Sequence, residues 1–352
     1  MTEAYRLTRK DGAPGIDGVT AKDYEANLEA NLLDLLARIK SGRYQAPPVR
    51  RHYIPKADGT KRPLGIPTLE DKVAQRAIVM LLEPMYETEF LPCSYGFRPG
   101  KSPHDALRAL RNGFMEQGLR WAVDADISKY FDTIDHAHLR CFLDQRVTDG
   151  VVRRMIDKWL KAGVLEQGVL RRTAGGTPQG GVISPLLANI YLHYVLDRWF
   201  EEKVRPRVHG RCLLVRYADD FVAAFEDHLP GKLLPGALEK RFARYGLTLH
   251  PTKTRFVDFR FKRPQGRHPA AVGTTFNFLG FTHVWGRSEN GKNVVRQITA
   301  KDRFARALAR VTDWCRLNLH LPFRAQHAHL SRMIRGHIAY YPKKREEPNL
   351  LM

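Results

Sequence analysis

The stretch LLVRYADDFVAAF, Leu213 to Phe225, sets two adjacent aspartates between two short apolar runs, and few folds accommodate that arrangement. Each run is too short for an ordinary helix and only a few residues separate them. They therefore read as a β-hairpin with Asp219 and Asp220 at its turn. Aspartate suits a turn because its side chain bonds the local backbone. Two like charges beside apolar strands nevertheless repel each other and lose hydration, a cost that an oxygen-preferring divalent cation reverses. The hairpin asks for a third carboxylate elsewhere in the chain.

VDADISKYFDTIDH offers one. Asp126 ends an apolar strand, where a buried acid needs a metal or a partner. Asp124 shares its face, while Asp132 and Asp135 fall in the following loop or at a helix start, and these are the competing choices. A strand-end aspartate with a hairpin aspartate can hold two Mg2+ ions about 3.5–4 Å apart, which activates an attacking oxygen and stabilises a leaving one. Phosphoryl transfer suits the charge of the chain. Lys and Arg number 58 against 37 acids, a formal +21 spread along 352 residues, so a polyanion, nucleic acid foremost, is the expected partner.

That length predicts two or three subdomains. A helix pattern runs from Tyr24 to Ile39, Asp58-Gly59 marks a hairpin turn among basic residues, and helices are expected near Glu70 to Glu89 and Pro103 to Gln117. A strand at WAVDADI and a helix from about Asp135 follow. Ser184 reads as the N-cap, with Pro185 at the first helical position, of a core helix leaving a glycine-rich loop. A helix around Leu233 to Tyr245 precedes a second hairpin zone with Asn290-Gly291 at its turn. From Ala300 the pattern is helical and basic, with Asp302 and Asp313 the only acids before residue 345. The four cysteines, Cys93, Cys141, Cys212 and Cys315, lack zinc spacing or a disulfide framework. With no secretion signal and no apolar run near the roughly 18 residues of a membrane span, a cytoplasmic location without membrane contact is expected.

The ordered series GAPGIDGVT, YIPKADGTKRPLGIPT, SYGFRPGKSPHDAL, DADISKYFDTIDH, GTPQGGVISPLLANIYL, RYADDF, LTLHPTKT and FNFLGF resembles the reverse transcriptase of bacterial group II introns, from about Asp11 to Tyr341. The resemblance implies an α+β right-hand polymerase with fingers, a ferredoxin-like palm and a helical thumb. Residues 1–115 would be N-terminal extension and fingers, and 116–299 palm with some finger elements at about 150–180. Residues 300–341 would be a partial thumb and 342–352 an unstructured tail. Asp126, Asp219 and Asp220 would be the catalytic acids and hold two Mg2+, with Mn2+ a possible substitute. Lys253 is similar to a lysine that protonates the pyrophosphate leaving group. Lys56 and Arg62, with Arg50 assisting, would grip the incoming triphosphate. Phe131 would exclude a ribose 2′-hydroxyl, and Gln179 would pack at the nucleotide sugar. Phe278, Leu279 and Gly280 match the primer grip, and Arg303, Arg306, Arg310, Arg332 and Arg335 would clamp nucleic acid.

The implied activity is RNA-directed DNA synthesis, with an RNA template, a DNA or RNA primer and dNTPs as partners. Two other settings share the motifs. One is a maturase that binds a cognate intron RNA to assist splicing. The other is an intron-derived enzyme recruited to defence or repair. A thumb that gives way after Tyr341 would leave Trp314, Ile334 and Ile338 uncovered, so self-association through that face is a further expectation.

Overall fold

The computed structural model describes residues 1–55, 59–166, 169–171, 175–177, 180–261 and 275–341. Its strands, in chain order, are β1 (Val49–Pro55), β2 (Lys61–Ile66), β3 (Trp121–Ala125), β4 (Val164–Glu166), β5 (Val169–Arg171), β6 (Cys212–Tyr217), β7 (Asp220–Phe225), β8 (Arg255–Asp258), β9 (Phe276–Phe278), β10 (Phe281–Arg287) and β11 (Asn293–Thr299). They form three sheets, ordered β2-β1-β4-β5, β6-β7-β3-β8 and β11-β10-β9.

The acidic stretch folds as the expected hairpin. Tyr217 pairs with Asp220 across the turn, and Cys212 pairs with Phe225 at the far end. Ala218 takes the left-handed φ of 56° that closes so tight a turn. β3 lies antiparallel between β7 and β8. With helices connecting β3 to β6 and β7 to β8, the order β6-β7-β3-β8 is the ferredoxin-like βαββαβ arrangement.

Alternation along these strands separates two cores. Val123, Ala125, Phe221, Ala223 and Phe225 face a large cluster with the helices Leu69–Glu87 and Ser184–Leu192. Ala122, Val215, Val222, Ala224 and Val257 face a second cluster with the helix Pro103–Glu116 and with β9, β10 and β11. The central sheet is thus buried on both faces, yet at its acidic end Asp220 is exposed.

Local signals explain several helix starts. Thr68 accepts from the Asp71 amide, Ser102 and Asp105 form a capping box with Pro103 at the first turn, and Asp135 accepts from the His138 amide. Three boundaries differ from expectation, and the helix expected from Leu233 in fact runs His228–Ala243. The helix after the glycine-rich loop begins at Ser184 itself, with Ile183 in the cap position, so the serine lies one residue inside. It passes at His193 into the wider π turns His193–Asp197 and Phe200–Val204. The pattern from Tyr24 to Ile39 is broken into Ala21–Glu25 and Leu28–Lys40, because Asn27 leaves the helical region.

The first sheet joins distant segments: β1 pairs antiparallel with β2 and parallel with β4. At the other end, the helices Lys301–Leu317 and Phe323–Tyr340 form a hairpin in which no residue is buried. Ile334 and Ile338 are exposed as expected, whereas Trp314 is not left bare, since its ring stacks on His329 at 4.3 Å. The tail after Tyr341 lies outside the described residues. No helix of the described residues is long and apolar enough to cross a membrane.

Candidate active site

Asp126 follows directly on β3, where the backbone continues into a short bridge between Ile127 and Leu249. Its carbonyl accepts from the His250 amide at 2.8 Å, which fastens the turn carrying Lys253 to the strand end. The Lys253 ammonium then reaches Asp126 Oδ2 at 2.5 Å. Of the four aspartates competing for this position, the others have separate tasks. Asp124 bonds Arg255 at 3.0 Å across β3 and β8. Asp135 caps a helix, and Asp132 lies on the single turn Tyr130–Thr133.

Three carboxylates therefore share one end of the central sheet, and their electrostatics show it. Enclosure by protein atoms, then repulsion from Asp219 and Asp126, pushes Asp220 up to about 7, although part of the residue remains exposed to solvent. Asp219 is raised as well, by burial and by Asp126, against opposing pulls from its own backbone amide, Arg62 and Lys253. Burial works against the Lys253 ammonium, but its hydrogen bond to Asp126 and the field of the three acids hold its pKa above the usual lysine value.

The donor set suits a hard divalent cation because it is all oxygen, and a cation would relieve the desolvation and repulsion that raise Asp219 and Asp220. As they stand, no group of three or more His, Cys, Asp or Glu side chains among the described residues is gathered closely enough to hold an ion. Lys253 supplies the positive charge at Asp126.

Behind the hairpin lies a network that the aspartate motif alone does not reveal. Arg216 is completely buried, and all five of its donors are used. Nε and Nη2 bond Asp197 at 2.7 and 2.6 Å, Nη1 bonds Asn189 Oδ1 at 2.9 Å and the Ala218 carbonyl at 3.0 Å, and Nη2 bonds Ser94 Oγ at 2.7 Å. The turn that presents Asp219 is thereby held from beneath. The signal was in the sequence: an arginine inside LLVRY, on an otherwise apolar strand, requires a buried anion.

The other expected residues divide into groups. Arg62, on β2, is close enough for its charge to lower Asp219. Arg50 instead spends its guanidinium on the Pro14 carbonyl, at 2.8 and 3.2 Å. Phe131 is half-buried on the single turn after Asp126, and its carbonyl accepts from the Thr177 amide at 2.7 Å. Lys56 and Gln179 lie outside the described residues. Beside the latter, Gly180 (φ 111°) approaches β2 so closely that a Cβ would sit 2.6 Å from the Gly65 carbonyl oxygen.

Leu279 and Gly280 both take left-handed φ, 51° and 80°, in the turn between β9 and β10, and Phe278 is buried beneath them. The Leu279 carbonyl accepts from Tyr340 at 3.0 Å, which ties this turn to the C-terminal helical hairpin. Arg303 and Arg306 engage Asp302 on the first helix of that hairpin, and Arg310, Arg332 and Arg335 are exposed.

Residues 54–283 match the family model described as reverse transcriptase (RNA-dependent DNA polymerase). The chain is 40% identical over 253 residues to protein YkfC of Escherichia coli K12, covering 63% of this chain and 66% of that protein. It is 41% identical over 249 residues to the group II intron-encoded protein LtrA of Lactococcus lactis subsp. cremoris, covering 68% of this chain but only 41% of LtrA. Among solved structures, telomerase from Candida albicans, in complex with a TWJ fragment of telomeric RNA, superposes with a TM-score of 0.52 at 12% identity. That match covers 91% of this chain and 58% of the telomerase chain, and it shows a shared right-hand polymerase fold.

Proposed function

The chain belongs to the group II intron reverse transcriptase and maturase family, and from that premise we propose that it is an RNA-directed DNA polymerase. The observation that carries this reading is the convergence of Asp126, Asp219, Asp220 and Lys253 at one end of the central sheet. In this reading residues 1–115 act as N-terminal extension and fingers, 116–299 as palm with finger elements near 150–180, and 300–341 as thumb.

Asp126 and Asp219, with Asp220 beside them, would hold two Mg2+ ions, or Mn2+ in their place. When bound, such ions lower the pKa of an attacking hydroxyl and stabilise charge on a leaving phosphate. The reaction joins the primer 3′-oxygen to the α-phosphorus of a dNTP and breaks the bond to the β-phosphate bridge, releasing pyrophosphate. The chain's own side chains do the rest. Arg62 and Lys56 orient the triphosphate, which restricts the attack to one phosphorus. Lys253 carries a proton at Nζ, kept there by its carboxylate neighbours, and delivers it to the departing pyrophosphate oxygen. Phe131 presses on C2′ of the incoming sugar, and Gln179 packs beside that sugar. Phe278, Leu279 and Gly280 position the primer.

Exposed cations on the two C-terminal helices favour a second, RNA-binding role of the maturase type, with an intron RNA as ligand. Primer extension on an RNA template separates the two. Asp219→Asn is expected to abolish extension with dNTPs while RNA affinity stays nearly unchanged. Full extension by that variant would refute the polymerase assignment.

A further inference from the structure

The segment Cys93 to Arg98 runs along the outer edge of β6 and is bound to the acidic hairpin with unusual thoroughness. The Arg216 amide donates to the Cys93 carbonyl and the Tyr95 amide to the Arg216 carbonyl, both at 2.8 Å. Arg216 also holds Ser94 Oγ at 2.7 Å, and Asn189 Nδ2 donates to the Gly96 carbonyl at 2.7 Å. At the far end Arg98 is buried on Glu87 and on the carbonyls of Leu91 and Ser94. Gly96 touches the catalytic turn itself: a Cβ there would lie 2.3 Å from the Ala218 nitrogen.

This rigid mount displays one side chain that the fold does not use. Phe97 is 54% exposed, and its φ of 56° is a conformation that a bulky residue rarely adopts. Exposure and backbone both disfavour phenylalanine here, and strain of this kind gathers at ligand-binding positions. The ring lies 6.4 Å from that of Tyr217, which is paired across the turn with Asp220. Tyr217, Leu279 and Tyr340 all pack against the same core cluster, so the ring behind Phe97 is seated on the core that also supports the β9–β10 turn. The same segment brings an exposed cation, Lys101, whose ammonium lies 5.7 Å from the Tyr95 ring centre.

We propose that Phe97 is a nucleobase-stacking ledge, with Tyr217 behind it, that holds the terminal base of the primer–template beside Asp219 and Asp220. The inference rests on the polymerase reading for the identity of its ligand. A flat, exposed apolar ring on a segment followed four residues later by an exposed lysine fits a nucleic-acid strand, because every base offers a π face and a phosphate follows it.

The test uses the full chain with an RNA template and a DNA primer ending in 2-aminopurine, whose fluorescence reports stacking. Phe97→Ala and Phe97→Gly are compared with Phe97→Tyr. Glycine relieves the left-handed backbone, so this variant should melt no lower than the wild type, and a binding defect in it cannot be ascribed to unfolding. Expected is loss of terminal-base quenching and a rise of about 5- to 100-fold in KM for primer–template in the alanine and glycine variants, with near-wild-type values for tyrosine. Wild-type quenching and KM in all three variants, in a protein that extends primers, would overturn the ledge and leave the polymerase reading intact. A wild type that does not extend primers would overturn the polymerase reading, and quenching that depends on the Phe97 ring would then support the ledge alone.

Discussion

The ammonium of Lys253 lies 2.5 Å from Oδ2 of Asp126, joining two residues 127 positions apart at the end of the central sheet. Lys253 remains 62% exposed on its side chain while Asp126 is only 14% exposed, so the lysine lies on the solvent side of the carboxylate. Lys253→Ala removes a proton donor without opening the core. Extension at saturating dNTP is expected to fall about 100-fold, the usual worth of one positioned acid, with little change in melting temperature. Single-turnover rates near wild type would show that this lysine only screens Asp126.

Sugar selection is expected to depend on the Phe131 ring. It packs partly against the core on a single helical turn, and Tyr130 beside it is fully buried, so the pair has little freedom to retreat. Phe131→Ala should raise NTP incorporation relative to dNTP by about 10- to 100-fold, the range available to a steric pocket. Single-nucleotide incorporation assays measure the ratio directly, and an unaltered value would return Phe131 to the core.

Arg216 and Asp197 form an ion pair with both side chains fully buried. Breaking such a pair from one side strands a charge and costs about 3–5 kcal/mol. Arg216→Met should therefore lower the melting temperature sharply, and adding Asp197→Leu should recover part of the loss. A double variant as unstable as the sum of the singles would show that the other donors of Arg216, to Asn189, Ser94 and Ala218, dominate.

His283 gives the fold an acid limit. Its ring is completely buried, stacked on Phe276 at 4.7 Å, and burial pulls its pKa down to about 3. The unfolded chain binds a proton near the ordinary value of about 6.5, whereas the folded chain does not. Stability is thus complete above that value and is lost as pH falls, by about 1.4 kcal/mol per unit until the folded pKa is reached. His283→Phe should flatten this loss in denaturant titrations compared at about pH 7.5 and about pH 5.5. An equal decline in both proteins would move the acid sensitivity elsewhere.

Much of the site was legible because it is built from short local signals. The hairpin around Asp219 and Asp220, the strand end at Asp126 and the helix start at Asp135 all depend on residues within a few positions of one another. What escaped depends on distance. The bridge between Ser94 and Arg216 leaves no periodicity in either segment. Phe97 reads from sequence as one more aromatic in SYGFRP, and only its backbone angle and exposure set it apart. The partner of Asp124 was likewise beyond spacing alone, since Arg255 reaches it from β8, 131 positions away.

The parallel pairing of β1 with β4, Val49 beside Val164, fixes an order of events during synthesis. The basic hairpin emerges early, but its sheet neighbour follows only after β3 and the helices to Lys161 have been made. At ribosomal speeds that interval is on the order of ten seconds. Through it the edge of β1 stands open, a surface on which strands of other nascent chains can dock. Long-range parallel pairing of this kind is also slow to form once both partners exist. The sheet that carries Arg62 is therefore the vulnerable step in biogenesis, and the charges of Arg50 and Arg51 along β1 protect that edge until β4 arrives.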